Sequence, residues 1–166
     1  MASGAFFDPM RLLRVAPLIS STGTLVYATA ELIYNSSFLH HSVRKTSNEL
    51  LPNWWNVVFH RGVWVVLALN LTTSTTAIAN LILDHHFSIP TFSTKLYLAG
   101  LVGAVGHLLF VPWVAGPIRD IIDGRSTGGA SGDMEKWLGF HRMRMVTADL
   151  VAWVAFLGAF SSTPFY

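Results

Sequence analysis

Each of the four long apolar stretches of this chain contains a side chain that a lipid environment tolerates poorly. Glu31 lies in the first stretch, Asn70 in the second, His107 in the third and Asp149 in the fourth. A polar or charged group inside a membrane-spanning helix is costly, so such groups usually face the protein interior and often mark function. The pattern therefore predicts one shared polar centre inside a helical bundle.

Helical spacing adds further residues to this centre. One face of the fourth stretch carries Trp137, His141, Arg144 or Met145, and Asp149. His141 and Asp149 are two turns apart, about 12 Å along the axis, so they cannot touch directly but can line one cavity. The second stretch and its entrance contribute His60, Arg61, Trp64 and Asn70.

The third stretch combines small residues with a histidine. Gly100 and Ala104, with the neighbouring Gly103, allow another helix to approach closely, and His107 lies on the same side. Structural roles remain open, because a lone histidine in an apolar helix is often a hydrogen-bond partner. Glu31 and Asp149 could instead form interhelical ion pairs, and the candidate partners are Arg61, Arg142 and Arg144. The histidines in or beside the connections are predicted to be solvated: His40, His41, His85 and His86.

Composition places the chain in a membrane. Only 12% of its 166 residues are charged, against about 25% in soluble domains, and its mean hydropathy is +0.47. The net charge of only +2 does not indicate a basic surface that would bind nucleic acid. The absence of cysteine excludes disulfides, thiolate metal sites and cysteine nucleophiles. No metal is predicted, although His60, His107 and His141 could bind one with a carboxylate, since their spacing neither supports nor excludes it.

A membrane-spanning helix needs about 20 mainly apolar residues, and four segments qualify, at residues 15–39, 57–83, 96–118 and 143–160. The sequence therefore predicts an all-α fold, a four-helix transmembrane bundle forming one domain over residues 1–166. Residues 40–56, with Pro52, and 84–94, with Pro90, are predicted connections. Trp54 and Trp55 are predicted to lie in the membrane interface, and the Gly/Ser-rich residues 124–132 to be flexible.

The basic residues are divided unevenly between the two sides of such a bundle. The termini and the second connection hold Arg11, Arg14 and Lys95, whereas the other two connections and their helix ends hold the remaining eight Lys and Arg residues. The positive-inside rule therefore predicts that residues 40–56 and 119–142 are cytoplasmic. The endoplasmic reticulum is the expected membrane.

The segment MEKWLGFHRMRMVTADLVAWVAFLGAF resembles the last helix of the anthrone oxygenase-like family of small membrane proteins. The resemblance rests on a Trp, three residues, a His, two residues and an Arg before an Ala-rich apolar run, here Trp137, His141 and Arg144. The second stretch resembles the family at Trp55 and Gly62, with His60 where an aromatic residue is common. The resemblance implies oxidation of an anthrone methylene to a carbonyl with O2 as co-substrate and no organic cofactor, in an aromatic polyketide pathway.

Anthrone oxidation gives each polar residue an expected role. A base removes a methylene proton, the enolate reduces O2, and the resulting peroxide loses water. His141 is the predicted base, because imidazole titrates near neutral pH. Asp149 or Glu31 would orient it or the substrate, and Arg144 or Arg61 would stabilise the enolate. His60 and His107 would complete the polar lining, and the residues expected to contact substrate are Trp64, Asn70, Trp137 and Met145.

Two other functions use the same residues. A cofactor-free membrane cyclase or isomerase acting on a lipophilic intermediate would need the acid–base groups but no O2. A non-catalytic assembly or binding protein would pair its polar residues among themselves and leave no substrate-sized cavity. The predicted partners are a lipophilic small molecule, the lipid bilayer and, through the Gly-rich third helix, a second copy of the chain.

Overall fold

The computed structural model describes residues 8–84 and 91–162. They form six α-helices and one π-helical turn: α1 (Pro9–Ser37), α2 (Arg44–Asp84), α3 (Phe92–Leu108), α4 (Val111–Ile122), α5 (Ala130–Arg144), the π turn (Met145–Asp149) and α6 (Leu150–Ser161). α3 and α4 follow each other closely, and α5, the π turn and α6 are continuous. The described residues thus form four long helical segments and no strand, and the all-α prediction is confirmed.

Local sequence explains where several helices begin. The Asp8 carboxylate accepts a hydrogen bond from the backbone of Met10, and Pro9 occupies the first turn of α1. The Thr91 hydroxyl caps α3 through the Thr94 N–H. Gly129 precedes α5 with a φ of +84°, a conformation that a residue with a Cβ rarely adopts.

Several helix ends differ from the prediction, because packing extends helices into polar sequence. Residues 44–56 are helical despite Pro52, since Leu51 and Trp55 are buried in the core. Trp55 therefore packs inside the protein, and its position at the membrane interface stays a prediction. α5 begins at Ala130 and buries Met134 and Leu138, so residues 130–132 of the predicted flexible segment 124–132 are helical. The predicted turn residues His85, His86 and Pro90 lie outside the described residues.

Three of the four segments are long and apolar enough to cross a membrane: Arg44–Leu83, Phe92–Ile122 and Ala130–Ser161. Large apolar side chains also cover the outside of the bundle, as in Trp64, Val102 and Val154. α1 is more polar, but its hydroxyl groups bond to its own backbone; Thr22 and Thr29, for example, donate to the carbonyls four residues earlier. These features support the membrane assignment.

α3 and α6 are held close together by glycines. A Cβ at Gly100 would lie 2.5 Å from Cε1 of Phe156, and one at Gly103 would lie 2.9 Å from Cβ of Ala152. Phe156 is completely buried, so it has no free space to move into. The predicted close approach of another helix at Gly100 and Gly103 is therefore present, and it fixes the position of α3.

We expect Gly100→Ala to lower the free energy of unfolding by about 1–3 kcal/mol, because the added methyl group overpacks the contact with Phe156. Gly106→Ala is the matched control, since a Cβ there meets nothing within 4 Å. Because alanine favours helix, the control should be neutral or stabilising by up to about 1 kcal/mol. Thermal unfolding of the detergent-solubilised variants measures both effects, and equal stabilities would contradict the tight contact.

Candidate active site

His107 and Asp149 form a buried ionisable pair between α3 and the π turn. The two residues are 4% and 5% exposed, and Nδ1 of the imidazole lies 2.7 Å from Oδ1 of the carboxylate. The Nδ1–H group donates to the carboxylate, which leaves the lone pair on Nε2. Nε2 has no hydrogen-bond partner among the described residues, and His107 borders a cavity between the helices. This is the arrangement of a general base oriented by a carboxylate.

The π turn brings Arg144 and Asp149 together. Residues five apart in a regular α-helix point in clearly different directions, but in the π turn the Leu150 N–H bonds to the Met145 carbonyl, five residues back. Nε of Arg144 lies 3.3 Å from Oδ2 of Asp149. The two atoms form an ion pair without the alignment of a hydrogen bond. Single π turns inside α-helices are frequent at functional sites.

His141 is held at both ring nitrogens. Nε2 lies 2.9 Å from the Ala28 carbonyl oxygen and must donate to it, while Nδ1 lies 3.2 Å from Nη2 of Arg144 and must accept from it. The ring also stacks on Trp137, with centroids 4.6 Å apart. His141 is therefore a neutral imidazole whose lone pair is occupied, and it positions Arg144.

Glu31 supplies a second carboxylate to the same cluster. Its Oε2 lies 3.9 Å from Nδ1 of His141, and its side chain is partly open to the cavity that His107 and Arg144 also border. One wall of the cavity therefore combines an imidazole, a guanidinium and a carboxylate. These groups can take up a proton and stabilise a developing negative charge.

The cavity has a volume of about 440 Å³, which lies within the range of ligand pockets. Most of its lining is apolar and comes from α2 and α4: Val58, Val63, Val66, Leu67, Val111, Val114, Ala115 and Ile118. The non-catalytic alternative predicted a bundle filled by its own side chains. A cavity of this size does not agree with that expectation.

The structure separates the other predicted site residues into two groups. His60 and Trp137 border the cavity, although His60 is exposed and its Nδ1 donates to the Asn56 carbonyl. The residues that do not border it are Arg61, Trp64, Asn70 and Met145. His141 and Asp149, which were predicted to line one cavity, lie behind its lining and contact Arg144, which borders it. Trp64 is 71% exposed, because the face of α2 that meets the cavity contains Val63 and Val66 instead.

Asn70 has a structural role. Its Nδ2 donates to the Ala104 carbonyl at 2.8 Å and so links α2 to α3. Asn70 and Trp64 were predicted to contact substrate, and neither borders this cavity.

Two of the cavity residues that received no site role from the sequence are buried and polar. Asn35 and Trp55 border the cavity and are each 2% exposed. A tryptophan beside Pro52 at a helix entrance resembles an interfacial residue, so its sequence gave no signal of burial. Asn35 lies one turn after Glu31 on α1, and that spacing was a usable signal.

No group of three or more His, Asp or Glu side chains within residues 8–84 and 91–162 is arranged to hold a metal ion. His60, His107 and His141, which the sequence left open as a metal set, have separate partners. His107 bonds to Asp149 and His141 to Ala28 and Arg144.

Fold and site together define a class: a small α-helical membrane protein with a ligand-sized apolar cavity and a buried His–Asp–Arg cluster in its wall. No protein-family model matches the chain, and no solved structure matches it.

Three fungal proteins are similar to the chain over most of its length. They are epoxidase gkaX of Penicillium citrinum (33% identical over 150 residues, 90% of this chain and 93% of the relative), epoxidase pydX of Acremonium sp. (29% over 151 residues, 91% and 93%) and probable epoxidase scpX of Mollisia scopiformis (28% over 150 residues, 90% and 94%). The chain belongs to the family of these proteins. Their names are epoxidases rather than anthrone oxygenases, and the anthrone oxygenase-like assignment stays a prediction.

Proposed function

We propose that this protein is a membrane-embedded oxygenase of secondary metabolism that converts a lipophilic, enol-type substrate into an epoxide with O2. The observation that carries the proposal is the His107–Asp149 pair, whose free imidazole nitrogen belongs to a residue at the wall of an apolar cavity. The names of the three relatives support epoxide formation as the outcome. The apolar lining suits a substrate that dissolves in the bilayer.

The first step is removal of a proton from an acidic O–H or C–H group of the substrate. Nε2 of His107 accepts this proton, and Asp149 stabilises the imidazolium that forms. Arg144 borders the cavity beside the pair, and its charge stabilises the substrate anion. We therefore assign the role of base to His107 rather than to His141, whose lone pair is already used.

The second step is reaction of the anion with O2. One electron passes to O2 and the two radicals combine, so that a carbon–peroxide bond forms. The electron pair of the neighbouring enol carbon then attacks the carbon-bound oxygen; the second C–O bond forms and the O–O bond breaks. The distal oxygen leaves as water with the proton returned by His107 and the proton of the enol. The substrate supplies all four electrons that reduce O2, two from the hydroquinone-type oxidation and two from the carbon–carbon double bond, so no organic cofactor is needed.

Anthrone oxidation, which the sequence resemblance implied, has the same overall balance. There the peroxide has no neighbouring enol carbon and loses water to give a carbonyl. A hydroxyanthrone is therefore a suitable second probe for the same base. A cyclase or isomerase would use His107 in the same way but would consume no O2.

The proposal is tested by adding methylnaphthohydroquinone to the purified protein in detergent under labelled O2. We expect one labelled oxygen atom in a quinone epoxide and the other in water, with O2 uptake above the spontaneous rate. Spontaneous oxidation gives unlabelled quinone and labelled hydrogen peroxide, and catalase is present to remove this peroxide before it adds to the quinone, so the products distinguish the two reactions. Isomerised product without O2 uptake would establish the alternative, and spontaneous products alone would refute the proposal.

A matched pair of variants checks that turnover occurs in the cavity. Val66 borders the cavity, whereas its neighbour Val65 is exposed on the outside of α2. Val66→Phe should raise KM about tenfold or more by reducing the cavity volume, and Val65→Phe should leave KM unchanged. The same effect from both variants would place the reaction elsewhere.

The cellular setting remains a proposal as well. We place the protein in the endoplasmic reticulum with residues 40–56 and 119–142 on the cytoplasmic side, following the distribution of basic residues. A homodimer through the Gly-rich α3 would have to use a face other than that of Gly100 and Gly103, which α6 covers.

A further inference from the structure

Among the described residues, four buried side-chain atoms have no hydrogen-bond partner: Asn35 Oδ1, Trp55 Nε1, Arg144 Nε and Asp149 Oδ2. The last two lie 3.3 Å apart and form an ion pair with each other. Asn35 Oδ1 and Trp55 Nε1 have no such compensation. Buried polar groups are nearly always hydrogen-bonded, so each exception requires an explanation.

Neither side chain can turn easily to find a partner. Nδ2 of Asn35 donates to the Glu31 carbonyl at 2.7 Å, and reversing the amide would set two carbonyl oxygens against each other. Trp55 is held edge-on by Trp137, with centroids 4.9 Å apart, and packs on Phe59 on its other side. The acceptor of Asn35 and the donor of Trp55 therefore keep their directions, and a group in the cavity reaches these two buried atoms once a lining side chain shifts.

Both residues border the cavity that contains the proposed site, together with Glu31 and His107. Most of the remaining lining is apolar. We infer that the substrate of this cavity is an apolar molecule carrying one hydroxyl or secondary amide group, which donates to Asn35 Oδ1 and accepts from Trp55 Nε1. Such a group both donates and accepts, and it would hold the reacting part of the substrate in a fixed orientation beside His107. The inference rests on the proposed function only for that last point.

Binding of three anthracene derivatives tests the inference without turnover. Anthracenemethanol carries the hydroxyl, N-methylanthracenecarboxamide carries the secondary amide, and ethylanthracene is the hydrocarbon control. Energy transfer from the protein's tryptophans to anthracene reports the Kd of each. We expect at least one polar probe to bind about tenfold more tightly than ethylanthracene, as one or two net hydrogen bonds would give. The preferred polar probe identifies the group as hydroxyl or amide.

Variants assign the preference to the two residues. Asn35→Leu and Trp55→Phe should each reduce it at least threefold while the Kd of ethylanthracene changes little. The matched controls are Asn53→Leu and Trp54→Phe, because neither Asn53 nor Trp54 borders the cavity; they should retain the full preference. The unfolding temperature of Asn35→Leu should not fall, because the variant removes an unsatisfied buried acceptor.

Equal affinity of the wild-type protein for all three probes would overturn the inference. So would an undiminished preference in both cavity variants, or a large loss of stability in Asn35→Leu, which would mean that Asn35 is structural. These results are separable from the oxygenase test. A protein that forms the epoxide but shows no preference for a polar probe supports the proposed function and contradicts the inference. A protein that prefers a polar probe but forms no epoxide supports the inference and contradicts the proposed function.

Discussion

His107→Gln is expected to reduce turnover of methylnaphthohydroquinone by about 10²–10⁴-fold, the contribution of a positioned general base. Glutamine can still donate to Asp149 through its amide, so the buried carboxylate keeps a partner and the fold should persist. It cannot accept a proton at neutral pH, so the first step of the reaction fails. The measurement is epoxide formation under labelled O2, compared with the elution volume and unfolding temperature of the same sample.

Two further histidine variants show whether the effect belongs to His107. His41→Gln alters an exposed residue of the α1–α2 connection and should have wild-type kcat. His141→Gln removes the stacking on Trp137 and the hydrogen bond to Arg144. It should therefore lower the unfolding temperature, and it should reduce kcat much less than His107→Gln does. If instead His141→Gln abolished turnover and His107→Gln retained it, the base would be His141.

The helical class could be predicted from the sequence because it depends on composition and on runs of apolar residues. The helix ends could not, because they depend on packing between distant segments. α5 is polar over much of its length, yet it is helical because Met134 and Leu138 are buried against residues of α2 and α4. Pro52 predicts a helix boundary, because proline disfavours the interior of a helix. Burial of Leu51 and Trp55 on either side of it overrides that local preference.

The candidate site was predicted as a set of residues but not as an arrangement. Glu31, His107, His141, Arg144 and Asp149 do lie together, because isolated polar groups in apolar helices have to face the interior. The sequence spacing of the histidines does not reveal which of them has a ring nitrogen without a hydrogen-bond partner, because this depends on contacts in the folded bundle. The hydrogen bond between His141 and Ala28 joins residues 113 positions apart.

The π turn could not be predicted from the sequence either. Its residues, MVTAD, include neither glycine nor proline, and these are the usual signals for an irregular helix. Without the wider turn, Arg144 and Asp149 could not be paired from their spacing.

Asp149→Asn should have the largest combined effect on stability and activity. The substitution removes the carboxylate that lies 3.3 Å from the buried guanidinium of Arg144, and breaking a buried ion pair in this way costs about 3–5 kcal/mol of unfolding free energy. Turnover should fall by about 10²–10⁴-fold, because the imidazolium of His107 loses the carboxylate that stabilises it. Glu135→Gln breaks the exposed pair with Arg44 and should cost less than about 1 kcal/mol.

A double variant separates the two consequences, because stability requires that the charges be paired while catalysis requires the carboxylate itself. Arg144→Met combined with Asp149→Asn removes both charges, and asparagine can still accept from Nδ1 of His107 through its amide oxygen. Most of the lost stability should therefore return, since replacing both members of a buried pair is often nearly neutral. Turnover should stay low, because neither the imidazolium nor the substrate anion is stabilised. If the double variant lost as much stability as the single variants Arg144→Met and Asp149→Asn together, the two residues would not be energetically coupled, and the π turn would need another explanation.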